Sequence, residues 1–194
     1  MKSTLRPAIV LFCALTLLVG VLYPLAVTGI GQIAFADKSA GSLVMRDGKA
    51  VGSTLIGQSF SVPGYFWSRP SATAPMANNA GGSSGSNQGA LNPALDDAVK
   101  GRIAALREAD PGNTAPVPVD LVTASASGLD PEISVAAARY QAGRVATARK
   151  LPRERVDALV SEHSVGQTMG FFGESRVNVL SLNLALDAQP PANR

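Results

Sequence analysis

A chain of 194 residues, 46% hydrophobic and 16% charged, has room for one globular domain of ordinary size. Its formal charge of +3 and its 5% aromatic content argue against a nucleic-acid binder, which needs a concentrated basic face with stacking rings. One cysteine and one histidine exclude a disulfide framework and leave little for a zinc site or a Cys-His or Ser-His pair.

No charged residue occurs between Arg6 and Asp37. At ~1.5 Å rise per residue, ~20 helical residues already match the ~30 Å hydrocarbon core of a bilayer. Residues 7–36 are therefore expected to form a transmembrane helix. Residues 1–6 form a cytoplasmic N-terminus, and residues 37–194 one soluble domain. Lys2 and Arg6 precede the run, whereas Asp37 and Lys38 cancel after it, so the positive-inside bias sends the domain across the membrane. Ala34-Phe35-Ala36 has the form of a signal-peptidase site. A signal h-region spans only ~7–15 residues, however, so a retained anchor is preferred over a cleaved signal. Cys13 follows Phe12 where a lipoprotein would need a small residue, so it reads as an apolar helix side chain. Thr16, Gly20 and Gly29 offer small surface for a packed partner helix, and Pro24 should free the carbonyl of Gly20 and kink the helix.

Beyond the anchor, Leu43-Val44-Met45, Asp47-Gly48 and the run from Val51 to Ile56 predict a hairpin, because Asp-Gly supplies the positive φ of a two-residue turn. Tyr65-Phe66-Trp67 is an apolar cluster, followed by a polar loop over 68–92. Asn92-Pro93 starts a helix with Leu95, Val99, Ile103 and Leu106 on one face, ended at Asp110-Pro111-Gly112. Val117 to Thr123 reads as a strand. Asp130-Pro131 is expected to cap a helix running to Lys150, and Pro152 a shorter one carrying Val156, Leu159 and Val160. The basic residues from Arg139 to Arg155 read as a solvated helix face. In VNVLSLNLAL, alternating Leu180, Leu182, Leu184 and Leu186 favour a half-buried strand, with a bulge or a helix as alternatives. Mixed short elements make the domain α+β.

Motifs for independent chemistry are missing from the sequence. His163, near a helix end, suits a C-terminal charge. The glycine-rich segment AGGSSGSNQG lacks the Lys-Ser/Thr of a P-loop, and neither a G-x-S-x-G elbow nor an Asp-Lys-Thr-Gly phosphorylation segment occurs. No catalytic residue and no metal ligand can be nominated. One candidate function left open is an independent envelope-anchored protein binding a small ligand in the loop around 76–92.

Other segments are more particular. GSTLIGQSF (52–60), YFWSRPSA (65–72), SSGSNQGALNPAL (83–95), GLDPEISVAAARYQAGRVATAR (128–149) and GFFGESRVNVLSLNLALD (170–187) follow one another behind the anchor. In that order they resemble the C subunit of the Kdp potassium-transporting ATPase over nearly the whole chain. Ser84, Gln88 and Ala90 depart from the family's usual Ser-Gly-Gly-Ser-Asn-Leu-Gly-Pro. The resemblance implies a non-catalytic, single-pass inner-membrane subunit with its main domain in the periplasm. Its partners would be a channel-like potassium-binding subunit, a P-type ATPase subunit and a small membrane subunit. It also implies a chaperone-like role, raising the ATP affinity of the hydrolysing subunit. A family glutamine likened to a transporter signature falls on Gln167, after Gly166, making these two the candidate contacts to ATP. The charge flanks oppose that contact, since they place Gln167 outside while ATP is cytoplasmic. Arg69, Ser71, Ser86, Asn87, Arg176 and Asn178, polar residues inside family motifs, are the candidate partner interface. Local capping and loop packing are the competing role for each.

Overall fold

The computed structural model describes residues 2–190, which divide into two compact units between Leu43 and Val44. The first is helical: α1 (Lys2–Leu17), a π-helical turn (Leu18–Leu22), α2 (Tyr23–Ala34) and a short α3 (Ala36–Ser39). The stretch Thr4–Ala34 has a mean hydropathy of 2.5 and is long and apolar enough to cross a membrane. Pro24 explains the π turn. A proline inside a helix removes a donor and crowds the carbonyl four residues back. Here Tyr23 N–H bonds to Leu18 O, five residues back, so the backbone widens by one residue. Gly20 sits inside that turn, so Thr16 and Gly20 do not share an uninterrupted α register.

A hairpin of β1 (Leu43–Arg46) and β2 (Lys49–Ser53) begins at the boundary and leads into the second unit. Its turn residues Asp47 and Gly48 have φ of 51° and 74°, as a two-residue primed turn requires. Helix α4 (Pro93–Ala109) is capped by Asn92, whose side chain accepts from Ala94 N–H at 3.0 Å. Helix α5 (Val135–Arg149) packs on α6 (Arg153–Glu162) and α6 on α7 (Val179–Asp187), while α5 and α7 contact a three-stranded antiparallel sheet of order β3-β5-β4. These strands are β3 (Glu132–Ser134), β4 (Ser164–Val165) and β5 (Arg176–Asn178), with Ile133 paired to Val177. Ala137, Ala138, Ala142 and Ala146 are buried along α5 and let neighbouring elements approach closely. Phe66, Ile133, Val156, Val160, Val177, Leu182 and Leu186 fill the core, each contributing ~1.5–3 kcal/mol by leaving water.

Three local expectations are corrected. The alternating leucines form helix α7, not a strand. Its buried residues include Val179, Leu182, Asn183 and Leu186, spaced i, i+3, i+4, i+7. One of those four is an asparagine, so counting apolar side chains alone suggested period two. Second, Val117 to Thr123 makes a single 3-10 turn at Val119–Leu121. Third, Asp130-Pro131 caps no helix. Asp130 Oδ1 accepts from Glu132 N–H at 3.0 Å and leads into β3, while Ser134 caps α5 by accepting from Ala137 N–H at 2.9 Å.

Candidate functional site

The most heavily built polar cluster surrounds residues 63–67. Gln141 Oε1 accepts from Trp67 N–H at 2.8 Å, and its Nε2 donates to Trp67 O at 3.1 Å. Asn183 holds Phe66 in the same two-bond manner, at 2.8 and 3.0 Å. Two buried amides thus stand in for a neighbouring strand along an otherwise irregular segment. The buried Arg144 guanidinium donates to Pro63 O, Tyr65 O and Gln141 Oε1 at 2.5, 3.1 and 2.7 Å. It lies 4.3 Å from the Trp67 ring centre. Burial pushes its pKa down to about 10, leaving it charged at neutral pH. Arg149 donates to Gly64 O and to Asp187 Oδ1 at 2.5 and 2.8 Å. Burial pushes the Asp187 carboxyl up, but hydrogen bonds from Arg149, Tyr65 and Arg46 outweigh it and hold the group below its usual value. The stretch Arg139 to Arg155 is therefore not one solvated face: Arg139 is exposed, Arg144 buried and Arg149 half-buried. Sequence reasoning missed Gln141, Arg144, Arg149, Asn183 and Asp187. Asn183 inside a leucine-rich run was the available signal.

The segments SRPSA, LDPEIS and GESRVNVL lie far apart in sequence but meet in the fold. Arg69 Nη1 pairs with Asp130 Oδ2 at 3.0 Å, and Arg176 Nε with Glu132 Oε2 at 2.9 Å. Ser71 Oγ donates to Gly128 O at 2.7 Å and accepts from Asn78 N–H at 2.9 Å. Asn178 Nδ2 donates to Thr54 O at 2.9 Å, while its Oδ1 caps α7 through Ser181 N–H at 3.0 Å. An open groove of about 740 Å³ runs along these pieces. Arg69, Asp120, Asp130, Glu132, Glu174 and Arg176 supply its charged lining. Arg69 Nε is buried there with no hydrogen-bond partner among the described residues. The structure therefore brings Arg69 and Arg176 to one surface, while Ser71 and Asn178 tie loops together beside it.

Ser86 and Asn87 are exposed in the 68–92 loop, with Asn87 at φ 52°. Gly166 and Gln167 are exposed after β4, and Gln167 Nε2 donates to Gly173 O at 2.8 Å. His163 ends α6 with Nδ1 3.0 Å from Leu159 O, so that nitrogen carries the proton. On the first unit, added methyl groups at Gly20 or Gly29 would meet nothing within 4 Å. Among the described residues no three His, Cys, Asp or Glu side chains are grouped to hold a metal.

The fold and the site together define a class: an α+β domain behind a membrane-length apolar helix, with its sequence motifs gathered on one open groove. A family model described as KdpC: K+-transporting ATPase, c chain, matches residues 5–188. The chain belongs to this family. It is similar to the potassium-transporting ATPase KdpC subunit of Herminiimonas arsenicoxydans, 70% identical over 96% of this chain and 98% of the relative. The subunit of the same name from Polaromonas naphthalenivorans (strain CJ2) is 66% identical over 100% of this chain and 98% of its own length.

Proposed function

We propose that the chain is the non-catalytic accessory subunit of an ATP-driven potassium uptake complex and raises ATP affinity in the hydrolysing subunit through contacts with its neighbours. The observation that carries this reading is the convergence of three distant motifs on one open groove. Ion pairs of that exposure add only ~0–1 kcal/mol to stability, so stability is a weak reason for the arrangement. A surface for partner subunits accounts for it better. Arg69 and Arg176 would face the partner, Ser71 and Asn178 would set the loops, and Ser86 and Asn87 would extend the contact.

The charge flanks Lys2 and Arg6 support a cytoplasmic N-terminus and an extracytoplasmic domain. ATP would then be bound by the ATPase subunit alone, and Gly166 and Gln167 would not touch it. Gln167 already has a structural use, since its amide closes the loop onto Gly173 O. Coupling at a distance requires only that this subunit favour the nucleotide-competent state of a two-state pump. The channel-like subunit, the ATPase subunit and the small membrane subunit are the partners in this scheme, and the small residues Thr16, Gly20 and Gly29 would face their helices. No cofactor or metal of the chain's own is needed.

The test is the ATP affinity of the membrane complex assembled with the wild-type chain, without it, and with Gln167→Ala. Omission should weaken affinity by roughly 5–150-fold, the usual range of coupling between sites, and Gln167→Ala should match wild type. An unchanged affinity on omission would sink the coupling. A loss with Gln167→Ala equal to that on omission would replace it with direct contact.

A further inference from the structure

Between β4 and β5 the chain projects a loop whose tip, residues 169–172, does not line the groove. From Ser164 through Gly173 it carries no charge, and at its tip Met169, Phe171 and Phe172 are 81%, 67% and 58% exposed. Side chains of this kind grouped on a surface mark a contact site. The tip is also preformed. Thr168 and Phe172 exchange backbone hydrogen bonds at 2.9 and 3.0 Å, and Gln167 clamps the base. Met169 and Gly170 turn the chain at φ 55° and 81°, and the two phenylalanine rings sit 4.2 Å apart. A segment already ordered loses little entropy on docking.

Charge separates the two kinds of surface that could receive it. An interfacial lipid anchor sets Lys or Arg beside its apolar side chains to engage anionic headgroups. Here no Lys or Arg occurs between Arg155 and Arg176, and the loop is flanked by Glu162 and Glu174. Glu162 pairs with Arg155 at 3.8 Å. Glu174 is exposed and makes no ion pair among the described residues. The loop is continuous with the groove, whose lining includes Gly173, Glu174 and Ser175.

We propose that this tip is a wedge that seats Met169, Phe171 and Phe172 in an apolar pocket with a basic rim on another protein subunit of the same membrane complex. It rests on the reading of the chain as a subunit and adds which segment docks and what receives it. The apolar tip supplies affinity as a buried anchor does, and Glu174 selects the rim.

The experiment places a photoreactive benzoyl-phenylalanine at Phe172 in the full chain, within the assembled complex, and irradiates it. A covalent adduct with a protein subunit is the expected result. Adducts with lipid only, or none while the complex copurifies intact, would overturn the wedge and leave the subunit reading standing. Failure of the wild-type chain to copurify with any large membrane subunit would instead remove the subunit reading itself. In parallel, the double substitution Phe171→Ser, Phe172→Ser should lower partner recovery by about tenfold at an unchanged melting temperature. Recovery equal to wild type would count against the proposal.

Discussion

Arg144→Ala should lower the stability of the domain by about 3–5 kcal/mol, because each hydrogen bond from a charged donor contributes roughly 1.5–3 kcal/mol and the loss is partly offset by rehydration of the acceptors. The substitution removes three hydrogen bonds at once. The carbonyl of the exposed Pro63 can turn to water, whereas that of the half-buried Tyr65 loses a donor, at up to roughly 1–3 kcal/mol if it is left unsatisfied. The substitution also uncovers the Trp67 ring, against which the guanidinium lies. Arg144→Lys should not rescue, because an ammonium cannot present the planar fork that reaches two carbonyls and an amide together. Thermal unfolding of the detergent-solubilised full chain is the readout. A drop of about 10 °C is expected, at ~2–4 °C per kcal/mol for a domain of this size. Arg139→Ala, at an exposed position of the same helix, should stay within about 0.5 kcal/mol of wild type.

Gly128→Ala should be comparably damaging for a different reason. Gly128 has φ +68°, and a methyl group there would lie 2.5 Å from Thr73 Cγ2 and 2.6 Å from Ser84 O. The left-handed backbone costs a non-glycine residue roughly 1–2 kcal/mol, and the overlap adds about 1–3 kcal/mol. Gly128 O also receives the Ser71 hydroxyl, which in turn accepts from Asn78 N–H. Displacing Gly128 therefore loosens the 68–92 loop. Limited proteolysis should nick that loop faster in Gly128→Ala than in wild type. Gly112→Ala is the control, since its added methyl group would meet nothing within 4 Å and its φ is not positive.

Local rules read well where the signal was local. The charge-free run, the Asp47-Gly48 turn and the Asn92-Pro93 cap each depend on a few adjacent residues, and each appears as expected. What escaped were side chains whose partners lie far along the chain. Asn183 bonds to Phe66 across 117 positions, and Gln141 to Trp67 across 74. No periodicity carries that information. The same amide disguised α7 as a strand, because a polar residue in a buried helical slot breaks the apolar count. Arg144 looked like a surface charge because basic residues at helical spacing usually are. At the candidate site, the motif arginines Arg69 and Arg176 were legible one at a time. Their meeting at one groove was not, since it depends on β3 pairing with β5.

The proposed function requires a domain that lies across the membrane from cytoplasmic ATP and acts through its neighbours. Thr147, exposed on α5, offers a direct check as Thr147→Cys with Cys13→Ser, labelled by a membrane-impermeant maleimide. Labelling in intact cells is the predicted result. Labelling only after permeabilisation would put the domain beside cytoplasmic ATP and contradict the account.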